Sequence, residues 1–308
     1  LPLTQINVLT LVPASLLKAL SLYSVAVAAR SGGSDAMQSN SRQDAQAEHK
    51  HRGCVLVSGA SAGIGAELAR AFAAKGYDLV LVARSRDKLG EIAREIKVAH
   101  SVRITILPAD LSVPGTPQAV CDGLREKGID IDVLVNNAGV VCEGNFADVT
   151  LDDQLRLLQI DIVALTSLMH LLLPPMLQRR SGRILNVAST AAFMPIPRVA
   201  TYAAAKAYVL SLTEALSEEL RGTGVTATAL CPGFTQTSML SGSRLARWVP
   251  SMMVMSAAAV ANEGCTACLA GETIRVPGIA NDIAVRGVQF LPRLLVRAVG
   301  GLVTGRGA

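Results

Sequence analysis

A chain of 308 residues, half of them apolar, holds ample core material for one large domain or two small ones, which excludes a wholly disordered protein. Its net charge of +5 comes from basic residues dispersed along the chain, with Arg179-Arg180 the longest simple run, so the charge does not read as a nucleic-acid surface. Aromatics supply 3% of residues while small aliphatics abound, which argues for buried parallel strands under close-packed helices and against an aromatic-rich β-sandwich.

Residues 1–50 read as an extension ahead of a domain spanning 51–308. Residues 1–29 are apolar with Lys18 as their one charge, and residues 31–50 have the Ser/Gln/Gly/Asp-rich composition of a flexible linker. A cleavable targeting sequence, a membrane anchor or surface helix, and an extension without function all fit residues 1–29. Pro13 and Lys18 fall inside the only window long enough to span a bilayer, which weakens the anchor reading. Any membrane contact is expected through residues 1–29 alone. The sequence begins at Leu1 rather than Met, which is compatible with further residues upstream.

From Cys54 onward the pattern predicts strands at 54–58, 78–83, 103–109, 131–136, 182–188, 224–231 and 273–276. Helices are expected between and after them, at 63–75, 86–98, 116–127, 151–178, 200–221 and 278–298. This alternation with short connections predicts one α/β domain around a doubly wound parallel sheet of Rossmann type. The stretch 235–271 departs from the alternation, is Met-rich and is interrupted by Pro250; lying beyond a strand's carboxyl end, it is the expected substrate cover. The six cysteines form no small-domain disulfide framework and point to a reducing compartment, cytoplasm or organelle matrix. Cys265-Thr-Ala-Cys268 has redox spacing, but no strand leads into it and the histidines supply no obvious zinc set, so no metal site is expected.

Val55-Leu56-Val57-Ser58 runs into Gly59-Ala60-Ser61-Ala62-Gly63-Ile64-Gly65 and then into a helix. A side-chain-free turn lets backbone approach a pyrophosphate, and the new helix offers unpaired N–H groups and the positive end of its dipole. An acid at the end of the second strand would accept hydrogen bonds from the ribose hydroxyls of NAD; Ala83 and Arg84 stand there instead, with Arg86 close behind. A guanidinium there pairs with a 2′-phosphate, so NADP(H) is preferred while NAD(H) is not excluded. Asp110-Leu111 follows the third strand, where a carboxylate meets the adenine amino group. Asn136-Asn137-Ala138-Gly139 follows the fourth.

Tyr202-Ala-Ala-Ala-Lys206 lies in an Ala-rich helical segment, which puts phenol and ammonium on one face a turn apart. A tyrosine at its ordinary pKa of about 10 carries protons poorly at neutral pH, and bringing it near 7 takes about 4 kcal/mol. One ammonium about 4 Å away contributes about 1 kcal/mol in water and about 4 in a shielded cleft. The pair therefore works only when covered. Tyr202 is expected to protonate a carbonyl oxygen, Lys206 to assist it and bind the cofactor ribose, and Ser189 to hydrogen-bond the same oxygen.

These motifs, with Ser189 ahead of Tyr202 and Cys231-Pro232-Gly233-Phe234-Thr235 after the next strand, make the chain from about Arg52 to Pro277 resemble the short-chain dehydrogenase/reductase family. The resemblance implies that Gly59, Ser61, Gly63, Ile64 and Gly65 line the pyrophosphate and that Asp110 meets adenine. It implies that Asn137, Ala138 and Gly139 border the ribose, and Pro232, Gly233 and Thr235 the nicotinamide. One position departs from the family: Asp161 stands where its members usually have an asparagine that helps hold a water beside the catalytic lysine. An aspartate there lacks the amide donor and brings negative charge toward Lys206, so an active enzyme with an altered pH profile is expected. Asp161→Asn tests this, since an unchanged rate and profile would remove the concern.

The helix carrying Asp161 is apolar on most of its circumference through Leu173, more than one sheet contact needs, and is expected to pack on a second subunit. The resemblance supports a homodimer or homotetramer. His170 on that helix is expected to be packed or at an interface rather than catalytic. Phe193, Met194, Met239, Trp248, Met252 and Met253 predict an apolar pocket for a small hydrophobic carbonyl or alcohol substrate. The rival reading is a nucleotide-sensing or scaffold protein that binds NADPH without turnover, with Asp161 as its support.

Overall fold

Six apolar segments supply most of the sheet, and each is apolar because both its faces are covered. In this computed structural model, which describes residues 52–237 and 253–303, they are β1 (Cys54–Ser58), β2 (Asp78–Ala83), β3 (Ile104–Pro108), β4 (Val133–Asn136), β5 (Gly182–Val187) and β6 (Val225–Leu230). With the short β9 (Ile274–Arg275) they pair in parallel in the order β3-β2-β1-β4-β5-β6-β9. Alternate residues of one strand serve opposite faces: Val55 and Val57 pack on one side of the sheet and Leu56 on the other. The helices on the Val55 side include α1 (Gly63–Ala74) and α2 (Arg86–Ala99). On the Leu56 side lie α3 (Thr116–Glu126), α5 (Leu165–Gln178) and α6 (Ala200–Glu219). The strand order reverses between β1 and β4, so the crevice at their carboxyl ends is where such a sheet takes a ligand.

The long helix expected over 151–178 is continuous but not uniform. Helix α4 (Leu151–Leu158) runs into a π-helical turn, Gln159–Ala164, before α5. Thr150 caps its start, accepting from Asp153 N at 3.2 Å, which satisfies one of the helix's open donors. Leu151–Gln178 is long and apolar enough to cross a membrane, yet Leu157, Leu168 and Met176 are wholly buried in the fold, so it is a core helix.

Two expectations need correction. The last third of the supposed cover is the regular helix α7 (Ala257–Ala270), with Val260, Ala261, Cys265 and Cys268 buried against the sheet and α1. Its small residues, which looked irregular in the sequence, are what let it pack close to the Ala-rich α1. Only β7 (Thr235–Gln236) and β8 (Met255–Ser256), paired in parallel, frame the remaining stretch; Met239, Trp248, Pro250 and Met252 lie outside the described residues, as do residues 1–50. The helix expected over 278–298 is two, α8 (Ile279–Gln289) and α9 (Arg293–Val303). Pro292 has no N–H to continue the ladder and biases Leu291 away from helical geometry. Cys265 and Cys268 face the core, where burial raises their thiols to about 11 and about 12 and disfavours the thiolate that redox chemistry needs.

Candidate active site

The glycine turn is shaped by what leans on it. Gly59 has φ +68, and a Cβ there would lie 2.8 Å from Asn137 Nδ2; a Cβ on Gly65 would collide with that same nitrogen and with the Gly59 carbonyl. The space is taken because Asn137 Nδ2 donates to the carbonyls of Ser58 (3.0 Å) and Gly59 (3.3 Å). Helix α1 then opens at Gly63 without a side-chain cap and without an acid in its first turn, which leaves its first N–H groups for an anion. A phosphate-bearing dinucleotide fits this cradle, since any Cβ at Gly59 or Gly65 would disturb it and nothing negative competes at the helix start.

At the end of β2, Arg84 is exposed on the expected 2′-phosphate side. Burial alone would raise Asp110, but the hydroxyl (2.7 Å) and N–H (2.9 Å) of Ser112, aided by Arg84 and Arg156, hold its carboxyl below the usual range. Asp110 therefore stays ionised, as an acceptor for an amino group must. The Leu111 side chain is buried in the core, so only its backbone can border a ligand.

Past Asn137 the same loop reaches Asp161 and Lys206. A Cβ on Gly139 would lie 2.9 Å from Asp161 Oδ2 and 3.3 Å from Lys206 Nζ, so its hydrogen brings backbone directly against that pair. Lys206, on α6, is buried; its ammonium donates to the Val187 carbonyl at 3.0 Å and lies 3.0 Å from Asp161 Oδ2. The second approach is oblique, an ion pair rather than an aligned hydrogen bond. Asp161 is fully buried in the π turn, and its other oxygen accepts from Val140 N at 2.9 Å. Burial works against the Lys206 charge, but the carboxylate of Asp161 and then the phenol of Tyr202 outweigh it and raise the ammonium above its ordinary value. The Tyr202 ring centroid is 5.6 Å from Lys206 Nζ, one helical turn away as the spacing requires.

Ser189 follows β5, where its Oγ accepts from Ala191 N at 3.1 Å and caps the 3-10 turn Thr190–Phe193, which packs on α6. Its hydroxyl proton remains available to donate to a substrate oxygen. Thr190 N donates to the Pro232 carbonyl at 2.9 Å, which ties the Ser189 turn to the Pro232-Gly233 loop. Thr235 is buried at the start of β7, its hydroxyl donating to the Gly233 carbonyl at 3.1 Å.

Several positioning residues escaped the sequence reading. Ser58 Oγ accepts from the N–H groups of Asn137 (3.0 Å) and Ala138 (3.1 Å), and its only sequence signal was a polar residue closing an apolar strand. Asn186, wholly buried on β5, binds Asn136 Nδ2 at 2.9 Å through its oxygen and Thr213 on α6 at 2.9 Å through its amide, so the Tyr-bearing helix is keyed to the sheet. Asn281, buried at the start of α8, lies against Gly233 and donates to the carbonyls of Pro277 (3.1 Å) and Met253 (3.4 Å); no local pattern marked it. His170 is exposed at the rim of a cavity of about 510 Å³, between α5, α6 and the start of α3, that contains none of the site residues.

Residues 53–248 match the short chain dehydrogenase family. Over 240 residues the chain is 30% identical to the very-long-chain 3-oxoacyl-CoA reductase of Rattus norvegicus, covering 76% of each protein. It is 36% identical over 192 residues to the ketoacyl reductase HetN of Nostoc sp., covering 62% of this chain and 67% of that one. Among solved structures, the short-chain dehydrogenase from Sphingobium yanoikuyae in complex with NADPH superposes with a TM-score of 0.68 at 32% identity, over 78% of this chain and 97% of that one. A 3-ketoacyl-(acyl-carrier-protein) reductase from Brucella melitensis complexed with NADH gives a TM-score of 0.66 at 27% identity, over 74% and 97%. The match spans more than half of the sequence and the fold is shared with a solved short-chain dehydrogenase; the chain therefore belongs to the short-chain dehydrogenase/reductase family, oxidoreductases that act on CH–OH and C=O groups with nicotinamide cofactors.

Proposed function

We propose that this protein reduces the carbonyl of a hydrophobic substrate, an acyl thioester or bulky ketone, with NADPH preferred, and catalyses the reverse oxidation of the matching secondary alcohol. The observation that carries this reading is the buried ammonium of Lys206, held between Val187 and Asp161 beside the Tyr202 ring and next to Gly139. When bound, the nicotinamide supplies the hydride. Gly59, Ser61, Gly63, Ile64 and Gly65 would cradle the pyrophosphate, Arg84 the 2′-phosphate, Asp110 the adenine amino group, Asn137, Ala138 and Gly139 the ribose, and Pro232, Gly233 and Thr235 the nicotinamide.

Tyr202 transfers its phenolic proton to the carbonyl oxygen as the carbonyl carbon accepts hydride, and the phenolate is reprotonated from solvent. Ser189 donates its hydroxyl proton in a hydrogen bond to that oxygen as charge grows on it. Lys206 stabilises the phenolate and holds the ribose, while Asp161 keeps it an ammonium and offsets part of its field at Tyr202. That offset should make the pH profile differ from that of an enzyme with an amide at 161.

The relatives' names support the substrate class, as do the apolar Phe193 and Met194, which end the 3-10 turn that Ser189 caps. A second copy of the chain is the proposed partner for the groove at His170, Thr166 and Tyr208. All six cysteines are thiols, in keeping with a reducing compartment. Screening NADPH oxidation across hydrophobic ketones, aldehydes and 3-oxoacyl thioesters tests the reading. Turnover is expected, and Tyr202→Phe should lower it by at least about 100-fold with NADPH binding intact. Asp161 also suits the second reading, a nucleotide sensor without catalysis; binding without turnover on the whole panel would favour it.

A further inference from the structure

Six of the fourteen large hydrophobic residues that the described structure leaves exposed fall within residues 279–295, so they form a patch rather than a scatter. Ile279 (82% exposed), Ile283 and Phe290 (76%) follow one another at spacings of four and seven, which aligns them along one side of α8. Leu291, Leu294 (68%) and Leu295 continue the surface onto α9. Beside these leucines stand Arg293 and Arg297, one turn apart, exposed and without an ion pair among the described residues. No acid occurs after Asp282, which is bound to Arg286 at 2.9 Å, while four arginines do. The helices are seated: Val296 is buried on the inner side of α9, a Cβ on Gly300 would collide with the Pro195 carbonyl, and α8 packs on the 3-10 turn after Ser189. The outward face is therefore presented by a fixed platform, with the apolar side chains in the middle and guanidinium groups at the flank.

We propose that this face of α8 and α9 docks on the surface of an anionic phospholipid bilayer. The charge decides the occupant: a second copy or another basic protein would bring arginines against arginines, whereas lipid phosphates pair with them while acyl chains receive Phe290, Leu294 and Leu295. The long arginine stems can lie along the apolar boundary with their heads at phosphate level. This adds a contact to the one expected from residues 1–29, and it stands whether or not the protein is a reductase.

The test is co-sedimentation of the full chain with vesicles of phosphatidylcholine alone and of phosphatidylcholine with phosphatidylglycerol, for the wild type, Arg293→Gln/Arg297→Gln and Leu294→Ser/Leu295→Ser. The wild type should prefer the anionic vesicles and lose that preference in high salt. The arginine pair should cost about 30-fold in partitioning, roughly fivefold per charge, and the leucine pair at least about tenfold. NADPH oxidation with a small water-soluble ketone should be the same in all three, and its absence in all three would count against the reductase reading without touching the vesicle result. Partitioning that is unchanged in both variants would assign the membrane contact to other residues and overturn the proposal. Absence of vesicle binding would overturn it too, and so would a fall in oligomer mass in the variants, which would mark the face as a contact between copies.

Discussion

The loop Asn137–Gly139 joins two regions that are held together by different physics. On the glycine-turn side the contacts are neutral: Ser58 and Asn137 exchange hydrogen bonds with backbone, and close packing at Gly59 and Gly65 sets the shape. On the Lys206 side the loop meets a buried carboxylate and a buried ammonium. The glycine turn is therefore vulnerable to added atoms, whereas the Lys206 side tolerates little change in charge.

The sharpest way to break that contrast is Asp161→Ala. It leaves the Lys206 charge buried with only the Val187 carbonyl, and should cost about 3–5 kcal/mol in denaturant-unfolding stability. A loss under about 1 kcal/mol would mean that water reaches the pair. Gly65→Ala attacks the other side: its methyl collides with Asn137 and the Gly59 carbonyl, and about 1–3 kcal/mol of overpacking should emerge as weaker NADPH binding measured by calorimetry. Arg84→Gln should raise KM for NADPH about fivefold, an exposed charge contact being worth about 1 kcal/mol, and leave KM for NADH alone. Equal effects on both cofactors would show that Arg84 does not read the 2′-phosphate.

The smallest effect is a matter of pH. Lys206 titrates above its ordinary 10.5 in the fold, so the stability it contributes is fully present below 10.5 and lost as pH rises through the folded value. The advantage of wild type over Asp161→Asn in urea midpoint should therefore be constant from neutral pH upward and shrink in the strongly alkaline range. An advantage that grows with pH would reverse the sign and sink the ion-pair account.

Much of this was legible in the sequence wherever the signal is local. Tyr202 and Lys206 had to share a helix face because four residues make one turn, and the glycine turn announced itself between an apolar strand and a helix. Where side chains carried no periodic signal, the reading went astray. The small residues of α7 fall in the stretch expected as a substrate cover because their packing partner, α1, is far away in sequence, and Pro292 divides what reads as one helical run. Asn281 and Asn186 showed nothing beforehand, since a buried amide is recognised by what surrounds it.

By itself the sequence determined the alternation of strands and helices as far as β6, the glycine turn, the Tyr202–Lys206 spacing and the presence of a carboxylate at 161, because each depends on neighbours along the chain. Only the tertiary structure decided that this carboxylate touches Lys206, that Ser58 anchors a loop 79 residues away, and that the apolar side chains of α8 and α9 face outward. Coulomb energy and burial depend on distance through space and on the surrounding dielectric, and both come into being when the chain packs.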